Sequence, residues 1–240
     1  MRRNFRRRGF TLIELLVVIV LIAVLVGLML PALAASRDRA RLVSCGSMER
    51  QLITGVHGYA ADRDGRIPVG PAGPSPFGRP WSKLPGAVIW TGGSQKYVGA
   101  GMLLPGYLSD RRAMYCAGDD TLAPTEQLER IGTAEDALSS YAYRQLAQAT
   151  RDRVDDLGRN DDDKPARALF FDAQTHSPIP EFSHTCHRGE SVNIAYIDGH
   201  VRGYPNTNDV LAVRIEDFAA FPTSVFDRGD ELFRTADELQ

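Results

Sequence analysis

Charge is missing from one stretch of this chain: from Leu15 to Ser36 no side chain carries any. Cysteine is scarce as well, at three residues in 240, which excludes a small scaffold stapled by several disulfides. Net charge is only −2, so no field of one sign argues for nucleic acid or an acidic substrate as partner. Nucleophile elbow, metal-binding helix motif and phosphate loop are all lacking, which leaves the common hydrolase and nucleotide-binding chemistries without their usual local signatures. With 43% hydrophobic residues, the chain still has enough apolar material for a substantial core.

What is present is concentrated at the start. Arg2, Arg3, Arg6, Arg7 and Arg8 precede Gly9-Phe10-Thr11-Leu12-Ile13-Glu14, and the uncharged run follows at once. Leu15–Ala35 is 21 residues long, and about 20 apolar residues cross the hydrocarbon core as a helix. Arginines ahead of such a span read as a segment held on the cytoplasmic side, in preference to a nucleic-acid arm. Ala32, Ala34 and Ala35 imitate a signal-peptidase site, but a cleaved signal has a shorter apolar core and no acid near its start.

Glu14 stands out, because a carboxylate inside a span costs about 2.5–3.5 kcal/mol on insertion scales. No cation follows before Arg37, roughly 30 Å further along a helix. The alternatives are a carboxylate that snorkels among headgroups, or one that meets a new amine on a neighbouring copy if the chain is cut after Gly9.

The string from Gly9 to Val18 resembles the leader and mature start of type IV prepilins and type II secretion pseudopilins. The resemblance implies that a prepilin peptidase cuts after Gly9 and methylates Phe10. It makes Glu14 the carboxylate that aligns subunits in a filament, and Pro31 the residue that bends the helix. The implied partners are the peptidase, other pilin or pseudopilin subunits and an inner-membrane secretion platform, with no nucleic acid. The implied location is a single-pass inner-membrane protein with a cytoplasmic amino terminus and a periplasmic head.

Beyond the span, Leu42, Cys45, Met48, Leu52, Val56 and Tyr59 recur at three- and four-residue steps, with Arg37, Arg39, Arg41, Glu49 and Arg50 on other faces. The helix is therefore expected to continue to the turn residues Asp62–Gly65. The Pro- and Gly-rich segment 69–85 reads as a loop, with Trp81, Trp90 and Tyr97 pinning it to the core. Gly101–Leu108 suggests a short helix or turn, Met114–Cys116 a brief strand, and Ser139–Arg144 a longer one. Ala168–Asp172 reads as a buried strand, and Val192–Tyr196 with His200–Tyr204 as a hairpin turned by Asp198-Gly199. A short helix is expected near Asp230–Leu239. The fold class is α+β and pilin-like: one long helix packed on a small antiparallel sheet with long loops. Its parts are a leader (1–9), a membrane or filament-core helix (10–35), the soluble half of that helix (36–62), a head (63–205) and a docking tail (206–240).

Candidate ligands in the head are few. Six aspartates between Arg151 and Lys164, including Asp161, Asp162 and Asp163, offer oxygens to calcium, but without the one-three-five spacing and closing glutamate of a calcium loop. His184, Cys186 and His200 are of zinc-ligand type; on a strand His184 and Cys186 share a face and His187 takes the other. A metal hydrolase built on His184, His187, His200 and Asp198 is the enzymatic alternative, and the expectation is that the chain is no enzyme and has no obligatory cofactor.

A second resemblance runs through His187, Asn193, Asp198, Gly199 and His200. The string His187–Val201 is similar to the prepilin-type processing-associated carboxy-terminal signature of a pseudopilin-like family abundant in planctomycetes, with ten residues between His187 and Asp198 where the pattern has nine. Tyr59–Asp62, Tyr107–Asp110 and Tyr115–Asp119 also look like that family. A structural role is expected for His187: bonding a carboxylate or carbonyl across the hairpin to hold Asp198-Gly199. The function expected is a structural filament subunit, the alternative being a membrane-anchored binding or adhesive module exported with a prepilin leader.

Overall fold

The computed structural model describes residues 11–71, 83, 86–146, 149–176, 183–214 and 223–239. Gly9, Phe10 and Trp81 lie outside them. The chain divides into two compact units, Met1–Ala40 and Arg41–Gln240.

In the first unit, helix α1 (Leu12–Ala61) begins and runs unbroken through Pro31. Its large apolar residues from Leu12 to Leu33 are exposed on every side. A helix apolar all round belongs in lipid or in a packed bundle of like helices, and this one is long and apolar enough to cross a membrane.

The second unit holds the rest of α1 and the head. Cys45, Leu52, Val56 and Tyr59 are buried, as the apolar spacing predicts. Glu49, expected on another face, is buried completely. Helix α1 stops where Asp64 and Gly65 turn into the left-handed region (φ 55° and 79°), and Gly65 N–H donates to Ala60 O.

Six strands form one antiparallel sheet: β1 (Gly86–Thr91), β2 (Lys96–Tyr97), β3 (Ala137–Tyr143), β4 (Ala168–Asp172), β6 (Ser191–Tyr196) and β7 (Val201–Pro205), in the order β2-β1-β3-β4-β6-β7. β5 (Thr175–His176) and β8 (Val213–Arg214) pair separately, in parallel. The long helix and small antiparallel sheet make this an α+β, pilin-like fold. Trp90 and Tyr97 sit in β1 and β2 and meet edge to face. Met114–Cys116 is no strand: a 3-10 turn ends at Met114, with Asp110 capping its first amides, and Cys116 enters a tight turn. Small helix α2 (Pro124–Arg130) starts on a proline.

Alternation sorts the sheet residues onto two faces. Register pairs Tyr141 with Asp172 and Tyr143 with Phe170, while Ala195 pairs with Phe170. All five face the core that Cys45, Leu52 and Val56 complete. Ala142, Phe171, Val192, Ile194 and Tyr196 join a second core with Leu232, Phe233 and Ala236. Those three belong to helix α3 (Thr223–Glu238), which starts earlier than expected and docks through them. β4, covered on both faces, is consequently buried along its whole length.

One ion pair fixes α3. Arg144 and Asp237 side chains are both 0% exposed, and Arg144 donates to Asp237 Oδ1 at 2.8 Å and Oδ2 at 2.6 Å. Asp237→Ala leaves the guanidinium buried and uncompensated, so urea unfolding of the full chain in detergent should show a loss of about 3–5 kcal/mol.

Candidate functional site

The amino-terminal element is built by its own sequence. Thr11 is the N-cap of α1 and Glu14 stands three residues on. Thr11 N–H and Oγ1–H donate to Glu14 Oε2 at 2.8 and 2.7 Å, and Glu14 N–H returns a bond to Thr11 Oγ1 at 3.3 Å. This reciprocal capping box satisfies amides at the helix start that nothing else within the helix can reach. Sequence reasoning treated Glu14 as unpartnered and missed it, although Thr-x-x-Glu before an apolar run is its signature.

In the head, the structure zips two sequence strings together. The turn Cys116–Asp120 lies along His184–Arg188: His187 N–H donates to Gly118 O, Asp120 N–H to Thr185 O, and Arg188 N–H to Asp120 Oδ2. Side chains follow. His184 Nε2 is 2.8 Å from Asp119 Oδ2, which also accepts Ser140 Oγ at 2.5 Å. Burial opposes ionisation of Asp119, but the bonds from His184 and Ser140 outweigh it and hold its pKa well below the usual carboxylate range.

His187 occupies a left-handed position (φ 52°) that opens a 3-10 turn, and its ring covers Gly118. A β-carbon there would lie 2.4 Å from His187 Nδ1, so glycine is needed for the ring to settle. His187 Nε2 is then 3.2 Å from Cys116 Sγ and 3.4 Å from Asp172 Oδ2. Cys116 is disulfide-bonded to Cys45 of α1, and Cys186 is the buried free thiol. Burial, then the nearby carboxylates of Asp172 and Asp119, push that thiol's pKa up, so it is an inert thiol.

His187 is expected from the sequence to bond across the hairpin and hold Asp198-Gly199. It does meet a carboxylate, but Asp172 on β4, not the hairpin. Asp198 and Gly199 hold themselves: Asp198 Oδ1 accepts His200 N–H at 3.2 Å and lies 2.6 Å from His200 Nδ1, Gly199 has φ 94°, and the His200 ring stacks on Tyr196. Asn193 ties the sheet to α1 by donating Nδ2–H to Leu42 O, while its N–H donates to Asp172 Oδ2 at 2.8 Å.

The proposed zinc trio is not assembled. His184 and Cys186 share a face, as expected, but their third neighbour is Asp119; His200 is held at the β6–β7 turn. The aspartate run does not converge either: Asp162 faces Arg234 and Asp163 faces Arg159, which answers their charge with arginines.

Glu49 completes the face of the sheet that α1 covers, with neither carboxylate oxygen hydrogen-bonded. Burial first, and the Asp172 charge second, raise its pKa well above normal. It is the residue sequence reasoning misplaced most, since its neighbours Met48 and Leu52 already complete the apolar spacing.

A helix long and apolar enough to cross a membrane, opened by a capped carboxylate, fits a membrane-anchored chain with a pilin-like amino-terminal element. The family model described as the prokaryotic N-terminal methylation motif matches residues 4–30. No curated protein and no solved structure matches.

A carboxyl neutral when folded binds more protons than when unfolded, so its contribution falls as pH rises above its ordinary value near 4.5, by about 1.4 kcal/mol per pH unit up to the folded pKa. Glu49→Gln, which needs no proton, should stabilise the chain increasingly as pH rises above about 5, levelling off once the folded pKa of Glu49 is passed, as measured by urea midpoints across a pH series.

Proposed function

We propose that this chain is a non-enzymatic, structural subunit of a type II secretion or type IV pilus-like filament. The observation that carries the reading is the methylation motif over residues 4–30, whose part from Leu12 onward lies on a helix with large apolar side chains exposed on every side. A prepilin peptidase cuts after Gly9 and methylates Phe10. The leader arginines keep the amino terminus cytoplasmic, and the head lies on the far side of the inner membrane. α1 then leaves lipid to pack against copies of itself and other pilin subunits, assembled by an inner-membrane platform.

In this scheme Glu14 has two jobs. In the single chain it closes the capping box with Thr11, and in the filament its charge meets the Phe10 amine of an axially shifted neighbour. The head has a structural part, and its His187-to-Gly199 signature belongs with the processing-associated pseudopilin-like family.

The two jobs are separable. Gln at the third helical position still serves a capping box but carries no charge, whereas Leu does neither. Both Glu14→Gln and Glu14→Leu should insert into membranes normally and fail to enter filaments, scored by shear fractions, with methylated Phe10 found at the mature terminus by mass spectrometry. Normal incorporation of either variant overturns the charge-pairing role, and a terminus after Ala35 overturns the pathway.

A further inference from the structure

Four donors of metal-ligand type converge in the head from four separate segments: Cys45 on α1, Cys116 after the 3-10 turn, Asp172 at the end of β4, and His187. One ligand atom from each lies within 4.8 Å of all the others. A tetrahedral zinc with bonds of about 2.0–2.3 Å holds its donors roughly 3.3–3.8 Å apart. His187 Nε2 already stands 3.2 Å from Cys116 Sγ and 3.4 Å from Asp172 Oδ2. The sulfur pair is closer than a metal needs because it is bonded. We propose that in the reduced chain Cys45, Cys116, Asp172 and His187 form a closed zinc site of two thiolates, one imidazole and one carboxylate, which the Cys45–Cys116 disulfide replaces on oxidation.

The surroundings are built for it. Asp172 is fully buried, and its Oδ1 has no hydrogen-bond partner. A buried carboxylate beside a neutral disulfide is an underpaired charge that a divalent cation would satisfy. Asn193 N–H fixes the other oxygen, Gly118 N–H donates to Cys116 Sγ at 3.2 Å, and the ring of His187 is pinned over Gly118. Such outer contacts orient metal ligands and temper thiolate charge. The adjoining Asp119–His184–Cys186 group is different, since Asp119 Oδ2 already bonds both His184 and Ser140.

The steps balance. A dithiol reductant gives two electrons and two protons to the Cys45–Cys116 bond and becomes a disulfide itself, leaving two thiols. Zinc then displaces both thiol protons to solvent. With His187 neutral, the four ligands carry one negative charge before loading and the loaded site carries one after it, so binding adds no net charge to the interior.

The test uses the full chain in detergent, reduced with a phosphine, freed of reductant anaerobically and titrated with cobalt and then zinc. One cobalt per reduced chain is expected, with thiolate charge-transfer absorption and tetrahedral visible bands that zinc abolishes. The oxidised chain should show neither. Cys186→Ser should leave the spectrum unchanged, while Cys116→Ser and His187→Gln weaken binding at least about tenfold. If reduction unfolds the chain, zinc should restore its circular dichroism. Equal binding by the oxidised chain, loss of the spectrum in Cys186→Ser, substoichiometric cobalt, or a reduced chain that zinc does not refold would each overturn the site.

Discussion

One carboxylate near the end of the chain holds the far face of the sheet together. Asp237 accepts from both terminal nitrogens of Arg144, from the backbone amides of Arg167 and Ala168, and from Asn160 Nδ2. Taking an arginine and an aspartate out of water costs several kcal/mol each unless geometry and further bonds compensate. Here the compensation is nearly complete, because Arg144 also donates to Ala168 O and Phe233 O and lies over the Phe233 ring. The pair therefore fixes where α3 lands, more than how tightly it binds. Phe233, Leu232 and Ala236 fill the second core only in the register that Asp237 sets, and β4 is buried on both faces only once they do.

The other face is handled in the opposite way. Where α1 covers the sheet, Glu49, Asp172 and the Tyr141 hydroxyl each leave a buried polar atom unbonded. Both faces bury carboxylates, but the α3 face answers Asp237 with a doubly bonded guanidinium, while on the α1 side His187 Nε2 lies 3.4 Å from Asp172 and Glu49 has no hydrogen bond. The link that holds α1 to this side is covalent, the disulfide from Cys45 to Cys116, with His187 against the second sulfur. Native cores seldom tolerate such unbonded groups without cause.

Legibility followed the range of the interactions. The helix stripe, the buried strand Ala168–Asp172 and the hairpin around Asp198-Gly199 rest on local periodicity or turn chemistry, and all three are present. The capping box is equally local, since Thr11-x-x-Glu14 before an apolar run encodes it. Cys45 and Cys116 are 71 residues apart, and nothing in either neighbourhood favours that pairing over one with Cys186. His187 reaches Asp172 only because a left-handed residue and a glycine let the ring fold back over Gly118, which no spacing rule encodes. Met114–Cys116 has the residues of a strand, but the cap that Asp110 places on Arg112 N–H starts a 3-10 turn there instead. Glu49 is the clearest case of tertiary context overriding pattern, since a charged residue beside an apolar stripe reads as solvated until the opposing sheet closes over it.

The capping box changes how the membrane segment is to be understood. In hydrocarbon, unsatisfied amides at a helix start and a lone carboxylate are each expensive, and the Thr11–Glu14 pairing sets one against the other within a single turn. The monomer thus needs no partner charge to make Glu14 tolerable, and the chain can rest in lipid as a single helix. Apolar side chains gain little by leaving lipid for other apolar side chains, so helix association there depends on close packing and on specific polar contacts. Glu14 is the sole acidic residue of the membrane-spanning half of α1, and its second oxygen stays outside the capping bonds. It can therefore provide the specific contact that bare hydrophobicity cannot, which separates the requirement for residing in the membrane from the requirement for leaving it.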